Sequence, residues 1–133
     1  MYKSEVKLRV RYAETDQMGY CYYGNYAQYF EVARVESLRS LGVSYKNLEE
    51  MGILLPVSNY QIKYIKPAFY DEELTIVSYI MNLPSLRIFF KYETYNQKNE
   101  KINFGETSLV FLNKNSKKPV NCPRIILDKL KTY

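Results

Sequence analysis

The chain has 133 residues, of which 47% are hydrophobic and 25% charged, with a formal net charge of +5 and no histidine. That length suits one domain spanning residues 1–133 and burying roughly 65–70% of its unfolded surface. No run approaches the ~20 apolar residues of a membrane span, and the amino-terminal MYKSEVKLRVRY interleaves charge with apolar residues instead of building a signal-peptide core, so a cytoplasmic protein is expected.

Residues 5–12 alternate, with Val6, Leu8, Val10 and Tyr12 on one side and Lys7, Arg9 and Arg11 on the other, which predicts a strand with one buried face. Residues 13–24 break the alternation with Thr15, Asp16, Gly19 and Gly24, and Asn25 is the expected cap of a following helix. From Tyr26 to about Leu41 the apolar positions Tyr26, Tyr29, Phe30, Ala33, Leu38 and Leu41 recur at helical spacing, with Gly42 as the stop. A short helix is predicted over 44–51, capped by Ser44 and stopped by Gly52.

The rest reads as β structure, with strands over 56–66, 72–82, 85–96 and 101–113 separated by Pro67, Pro84 and the polar run 96–101. Leu86, Ile88, Phe90 and Tyr92 alternate with Arg87, Phe89, Lys91 and Glu93, a strand apolar enough on both faces to sit between two layers. Pro123 opens a terminal helix with Ile126, Leu127 and Leu130 as its apolar positions. One long helix against an antiparallel sheet is an α+β layer arrangement. A single helix covers one face of such a sheet, so the other face or an edge strand is expected to meet a second copy of the chain.

The stretch Arg11–Glu36 concentrates the chemistry. Asp16 lies in a glycine-punctuated loop that runs straight into the helix, whose N-terminus offers unpaired N–H groups and a positive dipole end. A carboxylate beside such donors suits acyl transfer, the carboxylate attacking or directing water while the N–H groups hold the oxyanion. Taken alone, Thr-Asp before a glycine is also ordinary turn chemistry. Glu14 is the alternative carboxylate, and a solvent-exposed role is expected for it.

Cys21 and Cys122 match no metal or C-x-x-C spacing and are expected as free thiols; with no histidine to generate a thiolate, Cys21 is expected to be packed and inert. No metal site is expected, since the acidic residues do not cluster at ligand spacing. Glu31 and Arg34 have the spacing of a helix-surface ion pair, with a buried structural role for one of them as the alternative. The lysines are scattered apart from Lys114, Lys117 and Lys118, and no nucleic-acid-binding motif accompanies them, so the positive charge favours a phosphorylated cofactor or carrier over a polyanion.

Tyr12, Thr15-Asp16 with Gly19, Tyr22-Tyr23-Gly24-Asn25-Tyr26, and Glu31 with Ala33-Arg34 together resemble the hotdog-fold acyl-CoA thioesterases, in the branch of hydroxybenzoyl-CoA and Tol-Pal-associated thioesterases. The resemblance extends to Ile62-Lys63-Tyr64, Pro67-Ala68 and Asp71-Glu72. It implies a five-stranded antiparallel sheet wrapped around one long central helix, and a homodimer or dimer-based tetramer with the site shared between subunits. It implies that Asp16 is the essential carboxylate, as nucleophile or as general base for water, and that the Tyr23 backbone N–H polarises the thioester carbonyl. Tyrosine at position 23 is as in hydroxybenzoyl-CoA thioesterase, where the Tol-Pal branch commonly has histidine.

Gly19, Tyr22, Gly24, Asn25 and Tyr26 are then expected around the substrate, and Lys63, Lys66 and Arg87, together with Lys117, are candidates for the CoA phosphates. Tyr22 and Tyr26 fit either a pocket or a core role, and Tyr29 fits the core. The expected reaction is hydrolysis of an acyl-CoA thioester with no cofactor. An acyl-carrier-protein thioester and a non-catalytic acyl-CoA-binding dimer stand as alternatives. The hydroxyacyl-carrier dehydratases of this fold need a histidine that the chain lacks.

Overall fold

A computed structural model describes all of residues 1–133. In chain order it comprises β1 (Tyr2–Arg9), a 3-10 turn (Tyr12–Glu14), α1 (Asn25–Ser40), α2 (Tyr45–Glu50), β2 (Ile53–Leu54), β3 (Val57–Tyr64), β4 (Glu73–Ile80), β5 (Arg87–Tyr95), β6 (Lys101–Val110), β7 (Leu112–Asn113) and α3 (Arg124–Leu130). Five strands form one antiparallel sheet in the order β1-β4-β5-β6-β3, and β2 pairs with β7 separately. The sheet wraps one side of α1, so the expected α+β hotdog arrangement is present.

Register explains which side chains face the helix. Ile88, Phe90, Tyr92 and Thr94 on β5 stand opposite Leu109, Thr107, Gly105 and Asn103 on β6, and all but the half-buried Gly105 are buried. Phe30 of α1 lies flat on Tyr92, with centroids 4.3 Å apart and planes 6° from parallel. Gly105 makes that stack possible. A Cβ there would sit 2.4 Å from the Gln61 carbonyl oxygen on β3 and 2.9 Å from the Phe30 ring, closer than atoms pack.

Several expectations need correction. β1 ends at Arg9, because its partner β4 begins at Glu73, directly opposite. Tyr12 therefore leaves the sheet for the 3-10 turn, where it is exposed and meets the edge of the Tyr70 ring. Asn25 is the first residue of α1 and Gly24 is its cap, because the Asn25 amide donates backwards to the Glu14 carbonyl instead of accepting from the helix. Leu86 lies before β5 and is exposed, while Ile88, Phe90 and Tyr92 are buried.

Arg34 is buried and donates from Nε to the Tyr45 hydroxyl at 3.1 Å, and no carboxylate, Glu31 included, lies within ion-pair distance of it. It belongs to the face of α1 turned toward the sheet, which the exposed Glu31 does not share. Ser44 does cap α2, accepting the Asn47 N–H at 3.1 Å. The terminal helix starts after Pro123, with Ile126 and Leu130 buried.

Candidate active site

Asp16 occupies a small hairpin closed by the Thr15–Cys21 bridge. Its N–H donates to the Tyr20 carbonyl at 2.8 Å, its carbonyl accepts from Gly19 at 3.0 Å, and its Oδ1 accepts the N–H groups of Met18 (2.9 Å) and Tyr20 (3.1 Å). Gly19 makes the reversal at φ +79°, which a side chain would strain. One carboxylate oxygen thus holds the turn, and Oδ2 accepts no hydrogen bond from the protein. The hairpin is fastened to the body by Cys21 N–H on the Ala68 carbonyl at 2.7 Å and by the bridge between Tyr20 and Phe69.

After the hairpin the chain turns into α1. Tyr22 N–H donates to the Glu14 carbonyl at 2.8 Å, Asn25 N–H to the Tyr22 carbonyl at 3.0 Å, and Tyr26 N–H to the Tyr23 carbonyl at 3.3 Å. The N–H groups of Tyr23 and Gly24 donate to no protein acceptor. Such unpaired donors are the rule at helix N-termini and favour an anionic oxygen along the line of their N–H bonds. Aromatic rings surround the turn: Tyr22 and Tyr23 lie 4.6 Å apart and half-exposed to exposed, and buried Tyr26 meets Tyr29 at 5.5 Å and Tyr64 of β3 at 5.8 Å. The Tyr64 hydroxyl reaches to 3.5 Å of the Tyr23 carbonyl, so the turn lies at the β3 edge of the sheet.

Glu14 corrects the expectation of a solvent-exposed carboxylate. It is 7% exposed; Oε1 accepts the Arg11 N–H and the Tyr29 hydroxyl, each at 2.8 Å, and Oε2 accepts the Arg11 guanidinium at 3.1 Å. Burial alone would raise its pKa, but the hydrogen bonds from Arg11 and Tyr29 outweigh it and hold the carboxyl below the usual range. Tyr29 is core, as expected, and its phenol is pushed well up, first by burial and then by its bonds with Cys21 and Glu14. Burial likewise pushes the Cys21 thiol up, and its Sγ lies 3.4 Å from the Tyr29 hydroxyl, so it is a packed, protonated thiol. The Arg11–Glu14 spacing of three is a local signal for an ion pair, but not for burial, because Tyr29, which covers Glu14, is fifteen residues away and meets it through the helix.

Asp16, Gly19, Tyr22, Tyr23, Gly24, Asn25 and Tyr26 are therefore gathered at one end of α1. Of the basic candidates, Lys63 and Arg87 are not gathered with them. Lys63 stands opposite Phe104, itself opposite Glu93, on the sheet face turned away from α1, where it lines an open groove of about 700 Å³ that contains neither Asp16 nor Tyr23. Arg87 lies six residues along β5 from that row, about 20 Å at ~3.3 Å per residue. Lys66 is paired with Glu100, and Lys117 sits at positive φ in the exposed turn after β7.

The comparisons bear on the family and the fold. Residues 18–103 match the family described as the thioesterase superfamily, a span that starts two residues beyond Asp16. A relative from Bacillus subtilis, named "Putative acyl-CoA thioesterase YneP", is 35% identical over 120 residues, covering 90% of this chain and 87% of that one. The 1,4-dihydroxy-2-naphthoyl-CoA hydrolase of Thermosynechococcus vestitus is 25% identical over 99 residues, 74% and 68% of the two chains. Among solved structures, the DHNA-CoA thioesterase from Staphylococcus aureus superposes with a TM-score of 0.91 at 38% identity, covering 100% of this chain and 89% of that one. With the family match spanning well over half of its length and the fold shared throughout, this chain belongs to the thioesterase superfamily and is by class a thioester hydrolase.

Proposed function

We propose that the protein hydrolyses acyl-CoA thioesters to the free acid and CoA, with Asp16 as the reacting carboxylate and the Tyr23 N–H, flanked by that of Gly24, as the oxyanion donor. The observation that carries this reading is a half-free carboxylate in the hairpin and two unpaired N–H groups in the turn that follows it, the two segments tied together by the Tyr22 N–H and the Asn25 Nδ2 on the Glu14 carbonyl. The thioester oxygen docks on the N–H groups, and the carbonyl carbon is attacked by a water that Asp16 deprotonates, or by Asp16 itself, in which case water then cleaves the acyl-aspartyl anhydride to the free acid and restores the carboxylate. The CoA sulfur leaves as thiolate, a good leaving group that needs no histidine acid. The reaction needs no cofactor.

The rings of Tyr22, Tyr23, Tyr26 and Tyr64 support an aromatic acyl group, as do the names of the relatives that act on 1,4-dihydroxy-2-naphthoyl-CoA. Tyrosine at position 23 supports placement nearer the hydroxybenzoyl-CoA than the Tol-Pal members. Two unpaired buried cysteines support a reducing, cytoplasmic setting, and no helix is long and apolar enough to cross a membrane.

The working form is a homodimer, alone or paired into a tetramer, joined through β3. That edge strand is eight residues long, has Lys63 as its one charge, and leaves Val57, Tyr60 and Tyr64 exposed although the two tyrosines face α1. Such an edge is normally covered, whereas the opposite edge, β1, carries Lys3, Glu5, Lys7 and Arg9. Because Tyr64 adjoins Tyr23, a β3–β3 pairing puts the site at the subunit boundary.

The test is thiol release from aromatic, short-chain and long-chain acyl-CoAs, beside Asp16→Asn, with light scattering on the same samples. Turnover lost in the variant while ligand still binds is expected. Turnover retained in Asp16→Asn overturns the role of Asp16, turnover only with acyl-carrier-protein thioesters moves the substrate class, and a monomer at micromolar concentration overturns the dimer.

A further inference from the structure

Glu14 stands where the parts of the proposed site meet. Its carboxylate binds α1 through the Tyr29 hydroxyl, and binds the preceding turn through the N–H and guanidinium of Arg11. Its main-chain carbonyl accepts the Tyr22 N–H at 2.8 Å and the Asn25 Nδ2 at 2.7 Å, holding the turn that presents the Tyr23 N–H. One residue later the chain enters the Thr15–Cys21 bridge, and the next residue is Asp16. Glu14 is therefore the base of the hairpin that carries the carboxylate, and also the anchor of the segment that carries the donor.

Packing alone does not call for an acid here. A buried carboxylate costs desolvation that an apolar side chain of similar size avoids, and this one is kept with both oxygens engaged. What the acid adds over an apolar residue is direction, since three donors converge on it from two elements. Asp16 and the Tyr23 N–H lie on opposite sides of the hairpin bridge, so a swing of the hairpin against α1 changes their separation. A misplacement of ~1 Å between reacting groups costs on the order of 100-fold in rate.

We propose that Glu14 is a positioning residue which fixes the Asp16 carboxylate relative to the Tyr23 N–H, through its anchors on Tyr29 of α1 and on the Tyr22–Asn25 turn; this rests on the acyl-CoA thioesterase reading given above. Side-chain variants release the Tyr29 and Arg11 anchors and leave the carbonyl anchors in place, so they loosen the hairpin without deleting it.

The experiment measures kcat and KM separately, with thermal midpoints, for Glu14→Ala, Glu14→Gln and Tyr29→Phe. Two references accompany them. Asp16→Asn removes the proposed reacting group, and Ile126→Ala destabilises the core beside the far end of α1, where α3 brings Lys129 next to Gly42. Glu14→Ala is expected to lower kcat by ~30- to 100-fold with KM within about threefold, the signature of lost alignment. Glu14→Gln, whose amide oxygen still accepts from Arg11 N–H and Tyr29, is expected to recover kcat to within about fivefold of wild type, and Tyr29→Phe to fall between the two.

Ile126→Ala is expected to lose stability and keep kcat. A Glu14→Ala enzyme with kcat within about threefold of wild type, or an Ile126→Ala enzyme with an equal loss of kcat, overturns the proposal. If Glu14→Ala does not fold, an unchanged kcat in Tyr29→Phe overturns it instead. Asp16→Asn separates the two readings: retained turnover there rejects the catalytic assignment, whereas lost turnover there with unaffected Glu14 and Tyr29 variants rejects only the positioning role.

Discussion

Gly105→Ala offers a strict check on how the sheet is built. The added methyl would lie 2.4 Å from the Gln61 carbonyl oxygen, 2.9 Å from Cε2 of Phe30 and 3.3 Å from Cα of Ile62. Ordinary contact begins near 3.4 Å, so the backbone of β3 must retreat by about 1 Å or the β6–β3 ladder must open at the Ile62–Gly105 pair. A flexible side chain can yield cheaply; a carbonyl held in a ladder cannot. Overpacking costs about 1–3 kcal/mol, and the upper half of that range is expected because the clash is with backbone. At ~3–4 °C per kcal/mol for a chain of this size, the midpoint should fall by about 6–12 °C. Urea unfolding with fluorescence and circular dichroism measures the loss. Adding Phe30→Leu should recover only a minor part, since the Gln61 clash remains. A Gly105→Ala protein within about 0.5 kcal/mol of wild type, the range of a neutral surface change, would refute the argument.

Other consequences are open to equally direct measurement. The folded-state pKa of Glu14 is depressed, so its stabilisation is present above the unfolded carboxylate range and is lost as the pH falls through the folded pKa; the stability gap between wild type and Glu14→Gln should be full near neutral pH and narrow as the pH falls below the usual carboxylate range, and a gap independent of pH would contradict this. Arg34 is a buried cation with a phenol for its hydrogen-bond partner and no counter-ion, so Arg34→Met should be neutral or stabilising by about 1–2 kcal/mol in chemical denaturation; a loss above that size would show that its charge is satisfied in the working assembly. The thiols of Cys21 and Cys122, both buried and shifted upward by burial, should react with a disulfide reagent at neutral pH only as fast as the protein opens, and rapid labelling of the native protein would rule out the packed-thiol description.

The sequence alone was enough for the order and type of the main elements, because their signals are local. Alternation marks β1 and β5, a helical repeat with Gly42 behind it marks α1, and Ser44 caps α2 as its chemistry suggests. The segment Asp16–Tyr26 was legible as a candidate site for the same reason: loop, glycines and helix start are contiguous, so their proximity needs no folding to predict.

Tertiary structure decided what depends on distant partners. β1 ends where β4 runs out, which sent Tyr12 to the surface. The wrap of the sheet buried Arg34 against Tyr45 and left Glu31 outside. Lys63 and Arg87 could be read only as positive charges, and the pleat turned them to the face away from the helix N-terminus. Glu14, which sequence reasoning assigned to solvent, became the buried anchor of the hairpin once α1 laid Tyr29 over it. A carboxylate's exposure is set by what the fold places above it: Arg11, three residues back, binds Glu14 locally, but the burial comes with Tyr29, fifteen residues on.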